Sequence, residues 1–234
     1  MYLSRLILNP RSRQVRNELA DPWEMHRTVC TALPDANYKD NEPTGTLFRV
    51  DLHPRTRVPT LLVQSRQKPD WSFLTKTSEF LENLEVSEAR FKNYLLGENE
   101  LPLEVKNPDY RELNLQLTNG QALAFRLRAN PTKRLKESAK RIGLLREEDQ
   151  HAWIQRKLEI AGAALINVNI VNEQFTHGKL FKEKDKALRL NFLSVQFDGV
   201  LQVKDANSLV NSIFTGFGSA KGLGFGLLSL ARAG

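Results

Sequence analysis

The order in which alternating apolar runs and capped helical segments follow one another constrains this chain more than any other feature. Residues 2–8 are leucine-rich and β-branched and stop at Asn9-Pro10. A helix opens at Asp21-Pro22-Trp23-Glu24, with Asp21 as N-cap, Pro22 in the first turn and Glu24 completing a capping box; it should end near Leu33-Pro34. Phe48, Val50 and Leu52 alternate with Arg49 and Asp51 as in a strand, and a second short strand covers about 58–65. A polar helix around 78–96 carries Leu81, Leu84, Phe91 and Leu95 at helical spacing. Leu123, Phe125, Leu127 and Ala129 then alternate with Arg126 and Arg128, which puts both arginines on one strand face.

Past Pro131 the order returns. A helix over about 148–161 has acids in its first turn and Gly162 beyond its end. Strands are expected near 163–173 and 187–197, Asp198-Gly199 reads as a two-residue hairpin turn, a helix covers 205–214, and 221–230 reads as a last strand. A β-α-β-β-α-β order met twice is the ferredoxin-like (RRM-like) pattern. It predicts an α+β protein of two tandem units, residues 1–132 and 133–234, with the boundary near Pro131–Lys140. There is no internal sequence repeat, so this rests on element order; 97–120 reads as an irregular insertion.

Charge narrows the function. The 234 residues hold 34 Lys+Arg against 27 Asp+Glu, a net charge of +7. From Gln121 to Arg146 there are eight basic residues and one acid, whereas Ser78 to Glu112 has nine acids and four bases. A basic face with an acidic side elsewhere points to an anionic partner, with nucleic acid the expected one. Tyr2-Leu3-Ser4-Arg5-Leu6-Ile7 presents no paired aromatics for splayed bases, so structured RNA read through shape and phosphates fits better. The single cysteine, Cys30, excludes an intramolecular disulfide and a multi-cysteine zinc site, and four scattered histidines lack ligand spacing, so no metal and no small-molecule cofactor is expected. No apolar run nears the ~18–20 residues of a membrane span. The N-terminus is too soon interrupted for a signal peptide, and the expected compartment is the cytoplasm.

Three stretches could carry chemistry. Gly216 to Gly226 holds five of the 13 glycines, without a P-loop or dinucleotide spacing. On a strand, Gly222, Gly224 and Gly226 would share one bare face. That face either packs tightly on a helix or, with Ser219 and Lys221, meets a phosphodiester. His26 stands three residues after Trp23 on the capped helix. It is either a structural residue or a proton-moving group near an anion-attracting helix end, with Arg27 beside it. Phe181 to Ala187, with Lys182, Lys184 and Lys186, is either a solvated turn or a basic hairpin tip contacting phosphates.

Met1-Tyr2-Leu3-Ser4, Trp23-Glu24-Met25-His26-Arg27, the Ala152 to Leu158 helix, Phe125-Arg126-Leu127-Arg128-Ala129-Asn130-Pro131-Thr132-Lys133-Arg134 and Lys221 to Ser229 together resemble the CasE family, in the same order from end to end. Residues 66–118 match poorly. CasE is the CRISPR RNA-processing endoribonuclease of the Cascade complex. The resemblance implies two ferredoxin-like domains and, as substrate, the stem-loop of CRISPR repeat RNA. It also implies metal-independent cleavage at the 3′ base of the stem, by 2′-hydroxyl attack that leaves a 2′,3′-cyclic phosphate. It implies further that the mature guide RNA stays bound, alongside other Cascade subunits, especially the backbone subunit. It implies His26 as the acid–base group and Trp23 beside it. It implies RNA contacts from Arg27, Arg126, Arg128, Asn130, Lys133, Arg134, Lys182, Lys184, Lys186, Ser219, Lys221, Gly222 and Gly224. Well-known members have a tyrosine where Trp23 stands, and indole is a donor only. A non-catalytic scaffold that binds the same stem-loop is therefore the alternative.

Overall fold

The computed structural model describes residues 1–33, 45–77, 79–83, 106–135, 141–173, 176–182 and 186–233, the backbone alone at 76–77, 176–182 and 186–191. The first unit is an antiparallel sheet of β1 (Tyr2–Ile7), β2 (Leu47–Leu52), β3 (Pro59–Ser65) and β4 (Asp109–Glu112), in the order β2-β3-β1-β4. Its described helices are α1 (Arg13–Ala20), α2 (Pro22–Thr31) and α3 (Ser72–Thr77). Alternation decides which sheet face they cover: Leu6, Phe48, Leu61 and Val63 point toward Val15, Met25 and Val29 and form one core with Trp71 and Leu74.

The second unit takes in β5 (Ala122–Ala129), the short ribbon of β6 (Thr132–Arg134) and β7 (Arg141–Gly143), α4 (Glu147–Ile160) and β8 (Ala163–Asn172). The hairpin of β9 (Thr176–Lys182) and β10 (Lys186–Phe192) follows, then β11 (Val195–Val203), α5 (Ala206–Thr215) and β12 (Leu228–Arg232). Its four-stranded sheet runs β12-β5-β11-β8, all antiparallel. In both units the order is fourth, first, third, second strand, so both are ferredoxin-like. Leu123, Phe125, Leu127 and Ala129 line the second core with Trp153, Ile154, Leu158, Leu209 and Ile213.

Several expectations change. The strand at 122–129 hydrogen-bonds to β11 and β12, so it opens the second unit rather than closing the first, and the boundary lies between β4 and β5, not at 132. Asp198-Gly199 is no turn but mid-strand in β11, paired with Arg126 and Phe125. A glycine is needed there because a Cβ at 199 would lie 2.1 Å from the Asn167 carbonyl oxygen of β8. Residues 221–230 are not one strand: a single 3₁₀ turn (Lys221–Leu223) precedes β12. The expected insertion contains β4, and α1 precedes the capped helix. Of the helix expected at 78–96, residues 78 and 84–96 lie outside the described residues, and 79–83 is not helical.

The first sheet's other face meets the second unit. The guanidinium of Arg49, 2% exposed, forms a two-pronged ion pair with Asp51 (both bonds 2.8 Å). It also donates to the carbonyls of Arg126 and Leu227 (3.1 Å each) and to the Ser229 hydroxyl (2.9 Å). On the next strand, β3, the buried Gln64 amide donates to the Ile213 carbonyl near the end of α5 (2.9 Å). Leu47, which pairs with Gln64 across the ladder, presses on Gly216.

Candidate RNA-processing site

The N-terminus of α2 is fixed by Asp21, whose carboxylate accepts from the Trp23 amide (3.1 Å) and whose neighbour Pro22 starts the helix. The expected capping box does not close through Glu24; that carboxylate pairs instead with Arg27 (3.0 Å), an exposed i,i+3 contact. Met25 and Val29 anchor the helix in the core, and this rotation leaves His26 half-buried on the side that faces the second unit. The imidazole has two aromatic neighbours: Trp23, itself 36% exposed, at 5.3 Å between ring centres, and Phe48 of β2 at 6.3 Å. The thiol of buried Cys30, one helical turn on, lies 3.6 Å from Nε2 and 3.8 Å from Nδ1. Burial holds the imidazole below its ordinary pKa, because charging it would cost solvation.

The opposite wall is the glycine-rich segment. Gly216, Gly218, Ala220, Gly224 and Gly226 all have positive φ. The regular glycine spacing thus supplies left-handed turns rather than one strand face. A Cβ at Gly226 would sit 2.7 Å from the Phe217 carbonyl oxygen, so the turn closes only on glycine. Leu223, Phe225 and Leu227 point into the protein as expected. This folding brings Gly222 against His26, 3.5 Å from Cε1 to where its Cβ would be, and Gly224 against the Phe48 ring. Ser219 is half-buried on the same segment, and Lys221 donates through Nζ to the Thr215 carbonyl. Strand β9 passes within 8 Å of α2, Cα to Cα.

The other expected contacts are distributed. Arg126 is engaged by Asp198, directly opposite on β11 (2.7 and 3.0 Å). Arg128 donates to Glu173 (2.6 Å) and to Ser194 (2.8 Å), with its guanidinium 5.5 Å from the centre of the Phe225 ring. Asn130 is buried, while Lys133 and Arg134 are exposed on β6. Lys182 and Lys186 face each other in register at the end of the β9–β10 hairpin; Lys184 lies outside the described residues. Phe48 and Cys30 escaped sequence reasoning because strand alternation marks one only as core and nothing local marks the other. Among the described residues, no cluster of three metal-ligating side chains is present, and no helix is long and apolar enough to cross a membrane.

The class defined by the fold is that of two tandem ferredoxin-like units, here with a histidine on one wall of their junction and a glycine-rich turn on the other. The family model described as "CRISPR associated protein" matches residues 1–232, and the chain belongs to that family. It is 34% identical to the CRISPR-associated endoribonuclease Cse3 of Thermus thermophilus, an alignment covering 99% of this chain and all of that one. It is 36% identical to the CRISPR system Cascade subunit CasE of Escherichia coli over 52% of this chain and 63% of the relative. Among solved structures, Cse3 bound to a 19-nucleotide RNA matches with a TM-score of 0.78 and 33% identity, covering 99% of this chain and 100% of that one.

Proposed function

We propose that the protein is a metal-independent endoribonuclease of CRISPR repeat RNA. It binds the repeat stem-loop, cuts at the 3′ base of the stem and stays on the mature guide RNA within a Cascade-type assembly. The observation that carries this reading is His26 beside Trp23 and Phe48 with the glycine-rich turn against it. A neutral imidazole can take the proton of the RNA 2′-hydroxyl as that oxygen attacks the adjacent phosphorus. The P–O5′ bond breaks, the 5′-oxygen leaves and is protonated, and a 2′,3′-cyclic phosphate remains. A pKa lowered by burial keeps the imidazole in its basic form near neutral pH. Amides of the turn around Gly222 are suited to the charge that grows on the phosphate oxygens.

Incubation of the purified protein with its repeat RNA in EDTA tests the reading. The expected outcome is a single cut whose upstream product ends in a cyclic phosphate. A single 2′-deoxy nucleotide before the cut should abolish cleavage and leave binding intact; normal cleavage of that substrate would make water the nucleophile. The second reading, a stem-loop-binding scaffold without activity, draws on Trp23, whose indole cannot accept a proton. It predicts binding of the same RNA with no product.

A further inference from the structure

Among the described residues, strands β9 and β10 pair only with each other, outside both four-stranded sheets. A lone two-stranded hairpin is marginal in water, so its placement is decided by what holds its root. The root is made by Glu173, just past β8, and Ser194, just before β11. The Glu173 amide donates to the Ser194 carbonyl (2.9 Å), and the fully buried Ser194 hydroxyl donates to the Glu173 carboxylate. Arg128, near the end of β5, closes the network: its Nε donates to Glu173 Oε2 (2.6 Å) and to Ser194 Oγ (2.8 Å).

The same arginine holds the glycine-rich turn. Its carbonyl accepts from the Gly226 amide (2.8 Å), and its guanidinium lies 5.5 Å from the centre of the buried Phe225 ring. Phe192, the last residue of β10, approaches that ring from the hairpin, 6.5 Å between centres. Hairpin and turn are thus tied to one residue of β5, and both reach the histidine helix. Strand β9 comes within 8 Å of α2, Cα to Cα, and Gly222 of the turn stands against His26. Hydrogen bonds to charged groups are the strong ones, and a buried hydroxyl left without its partner is costly, so this network favours a single arrangement.

We infer that Glu173, acting through Arg128 and Ser194, is a positioning residue for cleavage: it locks the root of the β9–β10 hairpin to the strand that holds the glycine-rich turn, so that hairpin and turn meet the histidine helix in one fixed arrangement. The inference rests on the RNA-processing reading. It gives Arg128 a task inside the protein, where its basic character alone would suggest a phosphate contact. Small displacements of groups around a reacting centre are expensive, about 10²-fold for roughly 1 Å, so a loosened hairpin root should be felt at His26.

The test makes two measurements on the full chain. In the free protein, amide hydrogen exchange of β9 and β10 should run roughly tenfold faster in Glu173→Ala than in the parent, with the first sheet unchanged. With the repeat stem-loop at saturating protein, single-turnover cleavage should fall by roughly 10–100-fold, while Kd for the 2′-deoxy substrate and its dependence on KCl stay parental. Glu173→Gln, which keeps the length and an accepting oxygen, should recover part of both effects. Combining Glu173→Ala with Arg128→Gln should be no slower than the slower single variant, since both break one network. Glu112→Ala, the same charge change at an exposed position of β4, should match the parent. Faster exchange without slower cleavage, or slower cleavage without faster exchange, overturns the positioning role and leaves RNA processing standing. Tighter binding with a salt slope steeper by roughly 0.7–0.9 overturns it as well, because Glu173 would then only compete with a phosphate for Arg128. If the parent protein fails to cut the stem-loop, the RNA reading falls and takes the positioning role with it.

Discussion

At the scale of single residues, His26 bears most of the functional argument. A positioned acid or base typically contributes ~10²–10⁴-fold, so His26→Ala should lose that factor in cleavage rate and still bind the stem-loop. Its lowered pKa has a definite sign: the neutral base persists to more acidic pH than an ordinary histidine allows. The acidic limb of single-turnover cleavage should therefore have its midpoint below the ordinary histidine value of about 6.5. A midpoint above that value would assign the limb to another group. Trp23→Tyr places a hydroxyl beside the imidazole and should preserve or raise the rate. His26 and Trp23 were legible because the Asp21-Pro22 start fixes helical phase. The engagement of Arg126 and Arg128 was not, since their carboxylates come from residues 72 and 45 positions away.

At the scale of elements, the α1–α2 pair holds an avoidable cost. Glu18 is 5% exposed; one carboxylate oxygen accepts from Gln14 and Thr28 (2.8 Å each), and the other has no hydrogen-bond partner. Burial raises its pKa, so this site favours folding most at acidic pH and loses that contribution as pH rises through the raised value. Glu18→Gln keeps an acceptor for both donors and removes the charge. It should raise Tm at pH 7 by roughly 2–4 °C, the shift that ~1 kcal/mol produces in a chain of this size. The gain should shrink toward pH 4; a constant gain across pH would show that charge is not its source. Strand and helix identities were readable wherever an alternating or capped pattern ran uninterrupted, as in 123–129 and 148–161. The glycine-rich turn was misread because period two is shared by strand faces and by alternating left-handed residues, and sequence spacing alone does not separate them. The placing of β5 misled for another reason: its proximity in sequence to the first unit says nothing of which sheet supplies its hydrogen bonds.

At the scale of the whole molecule, Arg49 joins the units. It lies on β2, yet three of its acceptors belong to β5 and the segment around β12. Removing one partner of a buried ion pair costs about 3–5 kcal/mol, and Arg49→Ala would also strand Asp51 and two carbonyls. The expected outcome is a loss of about 3 kcal/mol in denaturant unfolding, with the single transition of the parent broadening or dividing as the units uncouple. An unchanged midpoint with a single sharp transition would place the coupling elsewhere, with Gln64 and Leu47 as the remaining contacts.

The glycine-rich turn that faces His26 begins at Gly216, and Gly216 rests on Leu47 of the other unit. The histidine and its opposing wall therefore share a frame that neither sheet provides alone. Mild denaturant that loosens this frame should silence cleavage before circular dichroism records any loss of strand or helix, which makes turnover the more sensitive gauge of how firmly the two halves are seated.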